Sequence, residues 1–177
     1  MSVRVLLDTN FLSAYTYDST SANFKPEDAT DFLEDRLNFL VEQLSQKDAE
    51  IIIPAPVLAE TLSARGADIT KIIPILESQA AFRIVDFGQR AAVEFAMLYK
   101  EQKAYKNDGQ TKAPFKFDLS IIAIAKISNV STIYSADKDL IKRAQDLDFK
   151  VCDFQGLARR PSEDQGVLIF PAHKSLQ

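Results

Sequence analysis

The sequence predicts an α/β protein whose mainly parallel sheet is covered by helices on both faces. Short apolar or β-branched runs, Val3–Leu7, Ile51–Ile53, Phe82–Phe87, Thr132–Ser135 and Phe149–Cys152, alternate along the chain with stretches of helical apolar spacing. Such alternation supplies the helical, right-handed crossovers that parallel neighbours require. A length of 177 residues with 46% hydrophobic and 26% charged side chains fits one globular domain of ordinary size.

The elements follow in order. Val3–Leu7, broken only by Arg4, is the first strand, and it ends on Asp8-Thr9-Asn10, residues that favour caps and turns. Tyr15 to Pro26 is polar and reads as a loop, after which Phe32, Leu33, Leu37, Leu40, Val41 and Leu44 recur at helical spacing. Ile51-Ile52-Ile53, closed by Pro54, is the second strand; Pro56 suits the start of the next helix, which carries Val57, Leu58, Thr61 and Leu62. Ile69 to Leu76 predicts a helix bent or begun at Pro74, and Phe82 to Phe87 a third strand. A helix runs from Gly88 through Ala92, Phe95, Ala96, Leu98 and Tyr99 toward Lys100–Lys116, which contains Gly109 and Pro114 and is expected to loop out. Asp118 opens a helix carrying Ile121, Ile122, Ala125 and Ile127. Thr132–Ser135, Leu140–Leu147 and Phe149–Cys152 complete the pattern as strand, helix and strand. Residues 1–154 form the domain, and 155–177 a tail or edge segment in which Val167–Phe170 is an edge-strand candidate.

Composition removes several function classes. A net charge of −4 gives no global positive field, so a polyanion would have to be held locally. The single cysteine, Cys152, closes no intramolecular disulfide and builds no cysteine-rich zinc cage; it is expected to pack in a strand. The single histidine, His173, excludes paired-histidine chemistry and is expected at the surface. The glycines at 66, 88, 109, 156 and 166 match neither a P-loop nor a dinucleotide fingerprint. No apolar run approaches the roughly 20 residues that span a bilayer, and the opening Ser-Val-Arg-Val is no signal peptide, so an intracellular, cytoplasmic protein without a membrane partner is expected.

Carboxylates remain as the chemical resource. Asp8 and Asp137 each end a strand, at the carboxyl edge where open parallel sheets bind ligands. Glu60 is the only acid between Glu50 and Asp68 and sits near the same edge on the helix after the second strand, while Asp118 opens a helix that could project it into the same cleft. Singly, each has a plainer role: Asp8, Asp118 and Asp137 as caps, Glu60 as an exposed helical glutamate. Jointly they imply a cation, because gathered carboxylates repel and lose hydration unless one offsets them. Magnesium or manganese suits an all-oxygen set, and such a site suits phosphodiester hydrolysis.

These residues, in this order, resemble the PIN-domain nucleases: Val5-Leu6-Leu7-Asp8-Thr9-Asn10, Glu60 on the third helix, Phe117-Asp118-Leu119-Ser120-Ile121-Ile122-Ala123, and Thr132-Ile133-Tyr134-Ser135-Ala136-Asp137. The resemblance covers roughly residues 3–154 and looks nearest to the VapC-type toxins of toxin–antitoxin pairs. It implies a three-layer α/β/α fold with a five-stranded, mainly parallel sheet and a magnesium- or manganese-dependent endoribonuclease site. Asp8, Glu60, Asp118 and Asp137 match the acidic quartet as catalytic residues and metal ligands, with Thr9, Asn10 and Ser135 as supporting polar positions. Asp139 is a candidate fifth acid, for which a solvated or helix-dipole role in the first turn is preferred. RNA is the implied substrate and a cognate antitoxin the implied partner; a homodimer through apolar helix faces stays open.

The chain departs from the compact toxins at Tyr15–Thr30, at Lys100–Lys116 and after Gln155. In the second of these, Lys100, Lys103, Lys106, Lys112 and Lys116, with Tyr99, Tyr105 and Phe115 among them, could hold phosphates and stack bases, or could form a solvated loop. Two other functions compete. A haloacid-dehalogenase-type phosphatase also uses an aspartate after the first strand but wants an acid two residues on, where this chain has Asn10. A non-catalytic PIN-like module that binds RNA or protein would keep the fold and dispense with the acids.

Overall fold

A computed structural model describes residues 2–17, 32–102 and 112–161 of the chain. Their elements run β1 (Arg4–Leu7), α1 (Thr9–Thr16), α2 (Leu33–Gln46), β2 (Glu50–Pro54), α3 (Ala55–Ser63), α4 (Ile69–Glu77), β3 (Phe82–Val85), α5 (Gln89–Gln102), α6 (Lys112–Ile127), β4 (Thr132–Tyr134), α7 (Lys138–Asp146) and β5 (Lys150–Cys152). The five strands form one sheet in the order β3-β2-β1-β4-β5, every pairing parallel. The chain winds outward from β1 to β3, then returns to β4 on the other side of β1. With right-handed crossovers this reversal sends α1–α4 to one face and α5–α7 to the other, giving the three-layer arrangement.

Burial follows strand position. Val5, Leu6 and Leu7 of central β1 and Ile51, Ile52 and Ile53 of β2 are all buried, so these strands read as unbroken apolar runs. The edge strands do not: Arg83 and Ile84 of β3 and Lys150 of β5 are exposed. Helix α6 carries the other half of the core, with Leu119 and every residue from Ile121 to Ala125 buried. A helix this apolar must be covered nearly all round, and α5 packs along it.

Few glycines are needed because three helix-to-strand turns use aspartate or asparagine instead. Asp48 after α2, Asn129 after α6 and Asp148 after α7 have φ of 50°, 52° and 63°. In each, the next residue's N–H closes back on the helix, Ala49 to Leu44 O, Val130 to Ala125 O and Phe149 to Ala144 O, all at 3.0 Å. These are Schellman caps, which satisfy carbonyls that a helix end otherwise leaves orphaned.

Several expectations are corrected. Tyr15 and Thr16, expected in a loop, form the end of α1, whose eight residues are too few to show a clear apolar period. Residues 18–31 lie outside the described residues. Phe32 does not belong to the buried stripe of α2: it is the cap residue, at φ 59° and 72% exposed. Helix α4 continues through Pro74. The Lys100–Lys116 segment is helical at both ends, since α5 reaches Gln102 and α6 begins at Lys112, with Pro114 in its first turn, where its missing N–H has no intrahelical partner to lose. Asp118 therefore lies in the interior of α6, and it is not a cap. After β5, Phe154 and Leu157 are buried, and Arg160 pairs with Asp35 and Glu42 of α2, so the chain keeps packing past residue 154. Val167–Phe170 and His173 fall outside the described residues. Cys152 is half-buried in β5, where burial raises its thiol pKa.

Candidate active site

Strand β1 delivers Asp8 to the point where the winding reverses. Asp8 caps α1, its Oδ1 accepting from Phe11 N at 3.1 Å, and its own N–H donates to Tyr134 O at the end of β4. The next residue of that strand end, Ser135, is fully buried and donates its hydroxyl to Asp8 Oδ2. Asp137 caps α7, its Oδ1 accepting from Asp139 N at 2.8 Å and Leu140 N at 3.1 Å. The cap readings of Asp8 and Asp137 are thus correct, and both residues still face a common cavity.

That cavity, about 430 Å³, is lined by Asp8, Thr9, Asn10, Glu60, Asp118 and Asp137, with apolar walls from α6 and Leu140. All four acids expected from the sequence therefore meet at one place, although they stand apart in the chain, Asp8 and Asp137 at the caps of α1 and α7, Glu60 within α3 and Asp118 within α6. Glu60, exposed on the second turn of α3, is held by Thr9, whose Oγ1 donates to Glu60 Oε2 at 2.5 Å. Asp118 projects from α6 on the same face as Pro114, Phe117 and Ile121, at the spacing that makes one helical face.

Ser135 supports the site from beneath, without lining it. Asp139 is exposed and absent from the lining; its backbone N–H donates to Asp137 Oδ1 and its charge contributes to the raised pKa of Asp118. Lys103 and Lys106 fall outside the described residues. Lys112 and Lys116 are exposed on α6 but do not line the cavity; at about 100° per residue they lie on the other side of the helix from the cavity-facing stripe. Lys116 Nζ sits 5.8 Å from the Tyr99 ring centroid.

The residue that sequence analysis missed is Arg143. It is buried on α7, and its Nε donates to Asp118 Oδ2 at 3.2 Å. Its signal was present: Leu140, Arg143 and Ala144 fall at helical spacing and are all buried, which places an arginine on the apolar face of α7.

The electrostatics are those of a crowded anionic site. Burial pushes Asp8 up to about 7, against the hydrogen bonds from Ser135 and Phe11, and the charge of Asp137 adds to the rise. Burial likewise raises Asp118 to about 6 despite Arg143, with Asp137 and Asp139 contributing repulsion. Among the described residues no three acidic, cysteine or histidine side chains converge closely enough to ligate a metal. Each of the four carboxylates is instead tied to a protein donor. The donor set nonetheless fits a hard cation, being all oxygen, with two members whose ionised forms burial and neighbouring charge disfavour. No described helix is long and apolar enough to cross a membrane.

The PIN domain family model matches residues 5–146, from β1 to the end of α7. No curated protein matches the sequence. Among solved structures, VapBC2 from Rickettsia felis, bound to a DNA fragment from its promoter, aligns at TM-score 0.58 and 18% identity, over 85% of this chain and 98% of that one. VapC20 of Mycobacterium tuberculosis, a sarcin-ricin loop cleaving toxin, aligns at 0.52 and 13% identity, over 78% and 94%. VapBC-1 from nontypeable Haemophilus influenzae aligns at 0.53 and 14% identity, over 86% and 99%. These likenesses show the fold, and the family model, matching the segment that carries all four clustered acids, shows that the chain belongs to the PIN domain family.

Proposed function

We propose that this chain is a divalent-metal-dependent endoribonuclease of the VapC kind, with Asp8, Glu60, Asp118 and Asp137 as its catalytic acids and metal ligands. The observation that carries the reading is that these four carboxylates, two at strand ends and two on helices α3 and α6, line one cavity at the sheet's switch point. Magnesium or manganese is the fitting ion.

When bound, such an ion supplies Lewis-acid polarisation of a phosphate and lowers the pKa of water. The chain's residues supply the placement. Ser135 and Phe11 N fix Asp8, the cap bonds fix Asp137, and Thr9 fixes Glu60. Burial raises the carboxyl pKa of Asp8 to about 7 and of Asp118 to about 6, so a divalent cation held among them would favour their ionised forms. Asn10, exposed at the cavity rim, offers an amide to a phosphate or to water. Lys103, Lys106, Lys112 and Lys116 would hold RNA phosphates. A cognate antitoxin is the proposed partner, in keeping with the VapBC assemblies among the structural relatives.

Incubating the purified chain with single-stranded RNA in magnesium or manganese tests the reading. Cleavage that excess chelator stops is expected. RNA binding without cleavage would support a non-catalytic module, and release of phosphate from a small ester without RNA cleavage would support a phosphatase.

A further inference from the structure

We propose that Arg143 is the positioning residue of this site: its guanidinium, held between the Asp118 carboxylate and the Phe115 ring, fixes Asp118 at the cavity wall and so sets how tightly the acids hold a divalent cation. The inference rests on the metal-dependent reading above and names a residue that this reading does not require.

The geometry joins two elements. Arg143 Nε donates to Asp118 Oδ2 at 3.2 Å, and its guanidinium carbon lies 4.6 Å from the Phe115 ring centroid. Phe115 is buried on α6 one turn before Asp118, so one side chain of α7 touches two successive turns of α6. Helix α7 is itself capped by Asp137. Arg143 therefore ties the helix that begins at one acid to the helix that carries another. Asp118 lines the cavity and Arg143 does not, so the guanidinium reaches the carboxylate from outside the cavity.

Packing alone does not explain an arginine here. Both side chains of the pair are about nine-tenths buried, at 10% and 9% exposed, and burying two charges costs desolvation that an apolar pair joining α6 to α7 would avoid. Lysine would keep the charge but lose the planar group that stacks on an aromatic ring while donating sideways to a carboxylate. Partners that orient a metal ligand typically change metal affinity on the order of 10- to 100-fold when removed.

The test is calorimetric titration of manganese into the full chain at fixed pH, for wild type, Arg143→Met and Arg143→Lys, with circular dichroism in chelator to establish folding. The methionine chain keeps bulk against Phe115 and removes the hold on Asp118. It is expected to stay folded and to bind manganese on the order of 10- to 100-fold more weakly than wild type, with lysine between the two. A folded Arg143→Met chain that binds manganese as tightly as wild type overturns the proposal. Should the methionine chain fail to fold, the lysine chain decides: wild-type affinity there overturns it, and a several-fold loss supports it. Wild type that binds no manganese removes the metal-dependent reading itself and this inference with it, an outcome distinct from wild-type binding that Arg143 does not influence.

Discussion

The Ser135 hydroxyl, fully buried at the end of β4, donates to Asp8 Oδ2 at the end of β1, and Ser135 Oγ itself accepts from the Asp137 backbone N–H at 3.0 Å. One side chain thus satisfies a buried carboxylate and orders the turn that presents the next acid. The two strand ends are adjacent because β1 and β4 pair directly, Leu7 opposite Tyr134. The parallel register itself places Asp8 and Ser135 within reach.

Replacing Ser135 by alanine leaves the Asp8 oxygen without its buried donor and the Asp137 N–H without its acceptor. The expected cost is about 1–3 kcal/mol in urea unfolding. Because the lost bond is one that holds Asp8 down, the acidic limb of the cleavage profile should move to higher pH. An alanine variant with unchanged stability and an unchanged profile would remove Ser135 from the site.

Stability in chelator should fall as pH rises. The folded pKa of Asp8 lies at about 7, above its ordinary 3.8, so folding takes up a proton at this residue and the stability it contributes is lost as pH climbs through about 7. Asp118, at about 6, acts in the same direction. Melting followed from pH 5 to 8 should show a declining temperature, and Asp8→Asn should flatten the decline, since asparagine caps α1 about as well as aspartate and does not titrate. A slope identical in the two proteins would place the titration elsewhere.

Replacing Lys103, Lys106 and Lys112 together by glutamine should weaken RNA binding and flatten its dependence on salt, since each phosphate contact contributes to the slope. The metal response should persist. A salt slope equal to that of the parent chain would leave these lysines as solvated side chains.

The sheet was legible because parallel central strands must be apolar throughout, as Val5–Leu7 and Ile51–Ile53 are. Asp8, Asp137 and Glu60 were legible because each stands at a strand end or on the helix that follows one, and Asp118 because it is an acid within the apolar run of α6. Helix α1 was not, since its eight residues, which set Phe11 and Leu12 in the core with Ala14 and Tyr15 packed beside them, are too short a run to show a helical period. The start of α6 was hidden by Pro114 and the lysines around it, signals of a loop that are equally compatible with a first helical turn. Arg143 was passed over because α7 reads as strongly charged, and only its place between Leu140 and Ala144 marks it as inward-facing.

The proposed catalytic role of the acids meets its most direct test at Asp137, where a structural role is already evident. Its Oδ1 caps α7 through two backbone N–H groups, a task asparagine performs about as well, at a cost of at most about 1 kcal/mol for the lost charge at the helix terminus. The measurement is the RNA cleavage rate of Asp137→Asn against wild type in saturating manganese, with melting in chelator recorded beside it. Loss of the carboxylate should lower cleavage on the order of 100-fold or more. Stability in chelator should hold or rise, because repulsion on Asp8 and Asp118 is relieved. A folded Asp137→Asn protein that cleaves RNA at nearly the wild-type rate would contradict the proposal that these carboxylates act together.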